Sequence, residues 1–331
     1  MSTEGGTGDG ADGADGGKGS GGRAEPSVHQ LRLFGVLAEE LHFGRAAARL
    51  TMSQPALSRQ IRALERRLGL QLVERTSRCV ELTPSGRTLL PEAHAVTAAM
   101  ANLRRAAEAE SRQGAGRMVV GVLAAESAMP TTRAILSELR SREPELTIDL
   151  LHLNFVNQYQ ALIRGEVDVA FLRPPAPVTL QTLQLTEEPR LACLPADDPL
   201  ADKEDLTLAD LSARTMVAMS QESPQEWRDF WAIDPRPDGT PVAFGPVATD
   251  VEAVLHVIAN GQAIGFLPAS ASTFYQRPGI RYRAVADLPP CTMALTWPAE
   301  HRDRPATALI RSIAHEVLAR DGDRPPGDPG T

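Results

Sequence analysis

The stretch SQPALSRQIRALERRLG, residues 53–69, carries four arginines and one glutamate in a chain of 331 residues whose formal net charge is −8. Ser53 is a good helix N-cap, Pro55 fits the first turn and Gly69 is a natural stop, so the segment reads as one helix. Leu57, Ile61, Leu64 and Leu68 recur at spacings of four, three and four, which gathers them into one inward-facing apolar stripe. Gln54, Ser58, Arg59, Arg62 and Arg66 lie off that stripe and make a polar, basic outer face.

Working outward, the pattern is helical from Val28, with Leu31, Phe34, Ala38 and Leu41 on one face. GRAAARL (44–50) follows, and its small alanines permit close helix approach. Three short helices with a basic last one describe a helix-turn-helix. Beyond Gly69, LVE (72–74) and VEL (80–82) flank RTSR (75–78), which predicts a small hairpin, or wing. Thr83 and Pro84 then open another helix that runs to about Gly114. Within it Leu89, Ala93, Val96, Met100, Leu103 and Ala107 keep a heptad spacing, and such a seam seeks a partner helix unless it lies on its own domain.

Charge singles out the same region. Residues 1–27 hold Lys18 and Arg23 against five acids, a net −3, whereas residues 28–112 hold thirteen arginines and no lysine against eight glutamates, a net +5. The overall −8 therefore leaves −10 for residues 113–331. A basic module on an acidic body meets a polyanion through that module alone. Residues near the start of a recognition helix face base edges in the major groove, so Gln54, Ser58 and Arg59 are candidates to read sequence. Ser53, Arg62, Arg75 and Arg78 suit phosphates, which set register. One such module makes few contacts, so two are expected to act together on a nearly palindromic double-stranded site.

From Met118 short apolar runs alternate with helical ones. MVVGVL (118–123), TIDLLHL (147–153) and VDVAFL (167–172) read as strands with helices at 129–142 and 157–164 between them, which predicts a parallel sheet covered by helices. Further strands are expected at 189–194, 215–219, 242–247, 263–267, 280–285 and 291–297, with helices at 224–231, 250–260 and 303–320. Two α/β lobes result.

HFGRAAARL (42–50), SQPALSRQIRALE (53–65) and ELTPSG (81–86) together resemble the winged helix-turn-helix of LysR-type transcriptional regulators, a bacterial family. The resemblance runs on to about Arg320, with specific motifs in the N-terminal part and weak ones after it. Val73 departs from it, standing where the family commonly has phenylalanine. It implies an α/β fold with an N-terminal all-α winged helix-turn-helix and an effector domain of two Rossmann-like α/β subdomains, as in periplasmic-binding proteins. Two strands cross between the subdomains and a small ligand sits between them. It implies a homodimer or homotetramer, with RNA polymerase as a further partner. The expected organisation is a Gly-rich disordered tail (1–27), a DNA-binding domain (28–86), a linker and dimerisation helix (87–114), an effector-binding domain (115–320) and a second disordered tail (321–331).

The effector site can also be placed from chemistry. Ligands of open α/β sheets settle beyond the carboxyl ends of strands, where helix N-termini offer free amides. That position holds Ser127 after strand 118–123, Asn154 after 147–153, Ser220 after 215–219 and Thr249 after 242–247. Helix capping is the plainer role for Ser127 and Thr249. Arg173, in FLRPP (171–175), is a candidate to pair an effector carboxylate, with a surface salt bridge as its plainer role.

Other classes are disfavoured. No apolar run reaches the roughly 18–20 residues of a membrane span, and the N-terminus lacks the features of a secretory signal, so a cytoplasmic location is expected. Cys79, Cys193 and Cys291 are far apart with no CxxC pair, which argues against a disulfide framework or a thiolate zinc site. GKGSGG (17–22) fits GxGxxG but has no strand before it and no helix after it. GxSxG, HExxH and Walker A sequences are absent and the seven histidines are scattered, so neither an enzyme nor a cofactor is expected. Two alternatives stay open: an α/β ligand-binding or catalytic protein whose N-terminal helices serve assembly, and a regulator that answers to protein concentration or redox state.

Overall fold

Ser27 caps the first described helix. Its hydroxyl accepts the Gln30 N–H at 3.2 Å while the Gln30 side chain accepts the Ser27 N–H, a reciprocal capping box. The computed structural model describes residues 25–75 and 80–322, and the chain divides into two compact units, one through Ala101 and one from Asn102. The expected tails at 1–27 and 321–331 lie almost wholly outside the described residues.

In the first unit, α1 (Val28–Glu40), α2 (Phe43–Arg49) and α3 (Gln54–Leu68) surround one core of Leu33, Phe34, Leu37, Ala46, Leu57, Ile61 and Leu64. α3 matches its sequence reading: Ser53 caps it, Pro55 is in its first turn and Gly69 ends it at φ 72°. The buried face of α1 differs from the one expected. It runs through Gln30, Leu33, Phe34 and Leu37, whereas Leu31 and Ala38 sit at its edge and Leu41, the left-handed C-cap, is 46% exposed. The wing's strands are β1 (Val73–Arg75) and β2 (Val80–Leu82), antiparallel with Val73 opposite Leu82. Val73 is buried in the core, filling the place where a larger ring was expected.

α4 (Pro84–Gly114) is capped by Thr83, whose hydroxyl accepts the Gly86 N–H at 2.9 Å and donates to the Gln71 carbonyl at 2.6 Å. A Cβ at Gly86 would fall 2.1 Å from the Leu72 carbonyl oxygen, so the LTPSG turn closes only with glycine there. The heptad seam divides. Ala93 is buried and Leu89 packs on the core of the first unit, while Val96 is 45% and Leu103 63% exposed.

The second unit holds two lobes. In lobe one, β3 (Arg117–Leu123), β4 (Thr147–Leu153) and β5 (Val169–Leu172) are parallel. β6 (Leu180–Glu188) crosses to lobe two as β7 (Arg190–Pro195), and the chain returns to lobe one as its last strand. Lobe two adds β8 (Met216–Met219) paired parallel with β9 (Phe244–Ala248). β10 (Gly265–Pro268) and β11 (Ile280–Ala284) flank β7 antiparallel. The returning strand, β12 (Cys291–Pro298), runs antiparallel to both β5 and β6, giving lobe one the order β4-β3-β5-β12-β6. The sheet is thus mixed and not all-parallel, because the chain re-enters it from the far lobe. β6 was not expected as a strand.

α5 (Pro130–Arg142) covers one face of the lobe-one sheet and α6 (Gln158–Ile163) contributes to the core on the other. α7 (Gln225–Ala232), α8 (Val251–Ala259) and α9 (Ala271–Phe274) belong to lobe two, and α10 (Pro305–Gly322) packs beside α5. Arg190 ties the two crossings together, its Nε donating to the Pro289 carbonyl at 2.7 Å.

Candidate nucleic-acid interface and interlobe cavity

α3 keeps its basic face outward because its apolar stripe is used up in the core. Gln54, Arg59, Arg62 and Arg66 are exposed and Ser58 is half-buried, and the three arginines make no ion pair among the described residues. The fourth arginine is structural. Arg67 Nη1 donates to Gln30 Oε1 at 2.8 Å and to the Glu25 carbonyl at 3.1 Å, holding the start of α1. Arg45 and Arg49 are likewise neutralised, by Glu40 and by Glu39 with Glu40. Ser53 is exposed, but its hydroxyl accepts the Ala56 N–H at 3.4 Å as a cap. Glu65, the one acid of the stretch, accepts the Leu72 and Val73 N–H groups at 3.0 and 3.3 Å and so seats the wing, a role the sequence did not suggest. Arg75 is described as backbone only, and Arg78 and Cys79 lie outside the described residues.

Between the two lobes of the second unit is a cavity of about 50 Å³. The turn after β3 supplies Ala124, Ala125 and Glu126, α7 supplies Trp227 and Trp231, and the segment after β10 supplies Ser270, Phe274 and Tyr275. Phe155 bridges the lobes beside it. Its N–H donates to the Thr249 carbonyl at 2.9 Å, its carbonyl accepts the Ser223 hydroxyl at 2.8 Å, and its ring lies 5.1 Å from that of Trp227.

On the cavity wall Arg173 is 3% exposed and fully engaged. Its Nε donates to Glu126 Oε1 at 2.6 Å, its Nη2 to Glu188 Oε1 at 2.6 Å, and its Nη1 to Cys291 Sγ at 3.3 Å. Glu188 is completed by the Ser270 N–H, which donates to Oε2 at 2.6 Å. Glu126 Oε2 is buried with no hydrogen-bond partner among the described residues. Burial raises the Glu126 carboxyl above the usual range, against the pull of Arg173.

These contacts correct the expectation for Arg173, which forms neither a surface salt bridge nor an open seat for a carboxylate ligand. Ser127 lines an outer depression with Arg133 and Arg140, not the cavity, because the turn after β3 swings Glu126 inward instead. Asn154 borders a neighbouring recess, with its Oδ1 accepting the Val156 and Asn157 N–H groups at 2.9 Å. The Ser220 hydroxyl accepts the Glu222 N–H, and Thr249 is exposed beside Asp250, the residue that caps α8. Hydroxyl capping chemistry pointed to these positions, whereas Glu126, Glu188, Trp227 and Trp231 were missed. They have no common local signal and meet only through tertiary packing.

Burial pushes the thiols of Cys193 and Cys291 up to about 12 and about 11, which leaves them unreactive near neutrality. Among the described residues no cluster of three His, Cys, Asp or Glu could hold a metal ion. No helix among them is long and apolar enough to cross a membrane.

Two family models match the chain: "Bacterial regulatory helix-turn-helix protein, lysR family" over residues 28–87 and "LysR substrate binding domain" over residues 110–319. The chain belongs to the LysR family. Among relatives of this LysR-type regulator, the HTH-type transcriptional regulator YnfL of Escherichia coli (strain K12) is 33% identical over 290 residues, covering 86% of this chain and 96% of that protein. The HTH-type transcriptional regulator AlsR of Bacillus subtilis (strain 168) is 28% identical, covering 92% and 99%. CbnR, a LysR-family transcriptional regulator of known structure, shares the fold with a TM-score of 0.56 at 22% identity, over 88% of this chain and 99% of its own. This LysR-type protein is accordingly a DNA-binding transcriptional regulator with an effector-binding domain, not an enzyme. CbnR is also known as a full-length structure complexed with its target DNA.

Proposed function

We propose that this regulator reads a nearly palindromic promoter site with paired α3 helices and is switched by a small molecule in the interlobe cavity. Gln54, Ser58 and Arg59 are assigned to base edges, and Ser53 and Arg62, with Arg75 and Arg78 of the wing, to phosphates. Residues 28–86 form the DNA-binding domain, 87–114 the linker and 115–320 the effector domain. Val96, Met100, Leu103 and Ala107 pair two chains, while Leu89 and Ala93 belong to the domain's own core. One observation supports the DNA half above all: Arg59, Arg62 and Arg66 project from a capped, rigid helix with no acidic partner among the described residues. Guanidiniums held out in this way suit phosphate and guanine, which they meet with paired donors.

The test is a gel-shift titration against the protein's own promoter at several salt concentrations. Arg62→Ala should weaken binding to all sequences alike and lower the salt slope by about one counterion. Arg59→Ala should cost about 1–3 kcal/mol and relax sequence preference. If neither substitution weakens binding, α3 is not the reading helix.

A further inference from the structure

Glu126, Arg173 and Glu188 form a buried cluster of two carboxyl groups and one guanidinium, so ionising Glu126 leaves one negative charge too many, and burial opposes that ionisation unless a further cation is supplied. Arg173 favours the charged form of Glu126 and Glu188 opposes it. Its Oε2 makes no hydrogen bond among the described residues, and the residue lines the cavity. The same cavity is lined by Phe155, Trp227, Trp231, Phe274 and Tyr275. A buried acceptor left unpaired is costly, and an uncompensated buried charge more so. Aromatic faces attract cations, most strongly where water is excluded.

We propose that the interlobe cavity takes a small alkylammonium ion, its N–H donating to Glu126 Oε2 and its alkyl chain lying against the aromatic wall. The inference rests on the reading of this cavity as the effector site, and it names the chemical class of the effector. A carboxylate finds no free guanidinium here, because Arg173 is already spent on Glu126 and Glu188. Size narrows the choice. The cavity is small, about 50 Å³, so a short-chain alkylammonium such as propylammonium is the fitting probe.

The experiment titrates the full chain with propylammonium chloride, 1-propanol and sodium propionate, with sodium chloride controlling ionic strength. Tryptophan fluorescence is the readout, because two of the three tryptophans line the cavity, and thermal midpoints are recorded in parallel. Propylammonium should give a saturable signal and a raised midpoint, 1-propanol should bind at least tenfold more weakly, and propionate should not bind. Glu126→Gln should weaken propylammonium at least tenfold and leave 1-propanol unchanged. Phe274→Ala, at a residue 40% exposed and so tolerant of truncation, should also weaken propylammonium while the fold is retained. Propionate binding as tightly as propylammonium, or an unchanged propylammonium affinity in Glu126→Gln, overturns the ligand class while leaving the cavity as a site. Silence from all three probes overturns the inference together with the effector-site reading beneath it.

Discussion

Arg173 and Glu126 stand 47 residues apart in the chain and meet at 2.6 Å with side chains 4% and 6% exposed. The pair joins the end of β5 to the turn after β3, and through Glu188 it reaches the first crossing between the lobes. Such a contact is worth little as a net gain and much as a loss, since removing one partner strands the other.

Arg173→Met is therefore expected to destabilise the protein by about 3–5 kcal/mol, the usual cost of breaking a buried pair from one side. Urea denaturation followed by circular dichroism measures it. A loss below about 1 kcal/mol would mean that the carboxylates are relieved in some other way.

The pH dependence has a definite sign. Burial raises the Glu126 carboxyl above its unfolded value. The resulting stability is fully present below the ordinary glutamate pKa of about 4.3 and is lost as pH rises through the folded value. Relative to Glu126→Gln, the wild type should therefore lose stability as pH is raised out of the acid range. Denaturation midpoints of both proteins at several pH values report the difference, and a constant gap contradicts the assignment.

At Gly86 the prediction is steric. The added Cβ of Gly86→Ala would sit 2.1 Å from the Leu72 carbonyl oxygen, backbone that cannot swing aside like a side chain. The substitution should cost about 3 kcal/mol, the upper end for overpacking, and weaken DNA binding by loosening the wing against α4. A thermal melt showing no shift would contradict this close approach.

Leu103→Glu separates pairing from folding. The residue is 63% exposed, so its replacement should leave circular dichroism unchanged while lowering self-association in sedimentation velocity. Ala93→Glu should instead unfold the first unit, because that position is buried.

What the sequence disclosed follows the range of the forces involved. The stripe Leu57, Ile61 and Leu64, the cap at Ser53 and the stop at Gly69 are local, and periodicity alone placed them correctly. The strand Leu180–Glu188 escaped notice because it is a sheet edge with polar residues at alternate positions, a pattern that also fits a loop. The α1 stripe was drawn through Leu31 and Leu41 because hydropathy ranks leucine above glutamine. Gln30 nevertheless takes a buried place through hydrogen bonds to Gln60 and Arg67. At the cavity, hydroxyls next to predicted helix starts looked promising and served turns and caps instead. The acids that hold Arg173 on its wall come from the turn after β3 and from β6's end, and nothing short of the folded sheet order brings them together.

Phe155 commits both of its backbone hydrogen-bonding groups to the opposite lobe. Parting the lobes would break the two bonds in one event and drag an aromatic ring off Trp227 as well. One residue thereby rivets the two lobes together with its backbone and its ring at once.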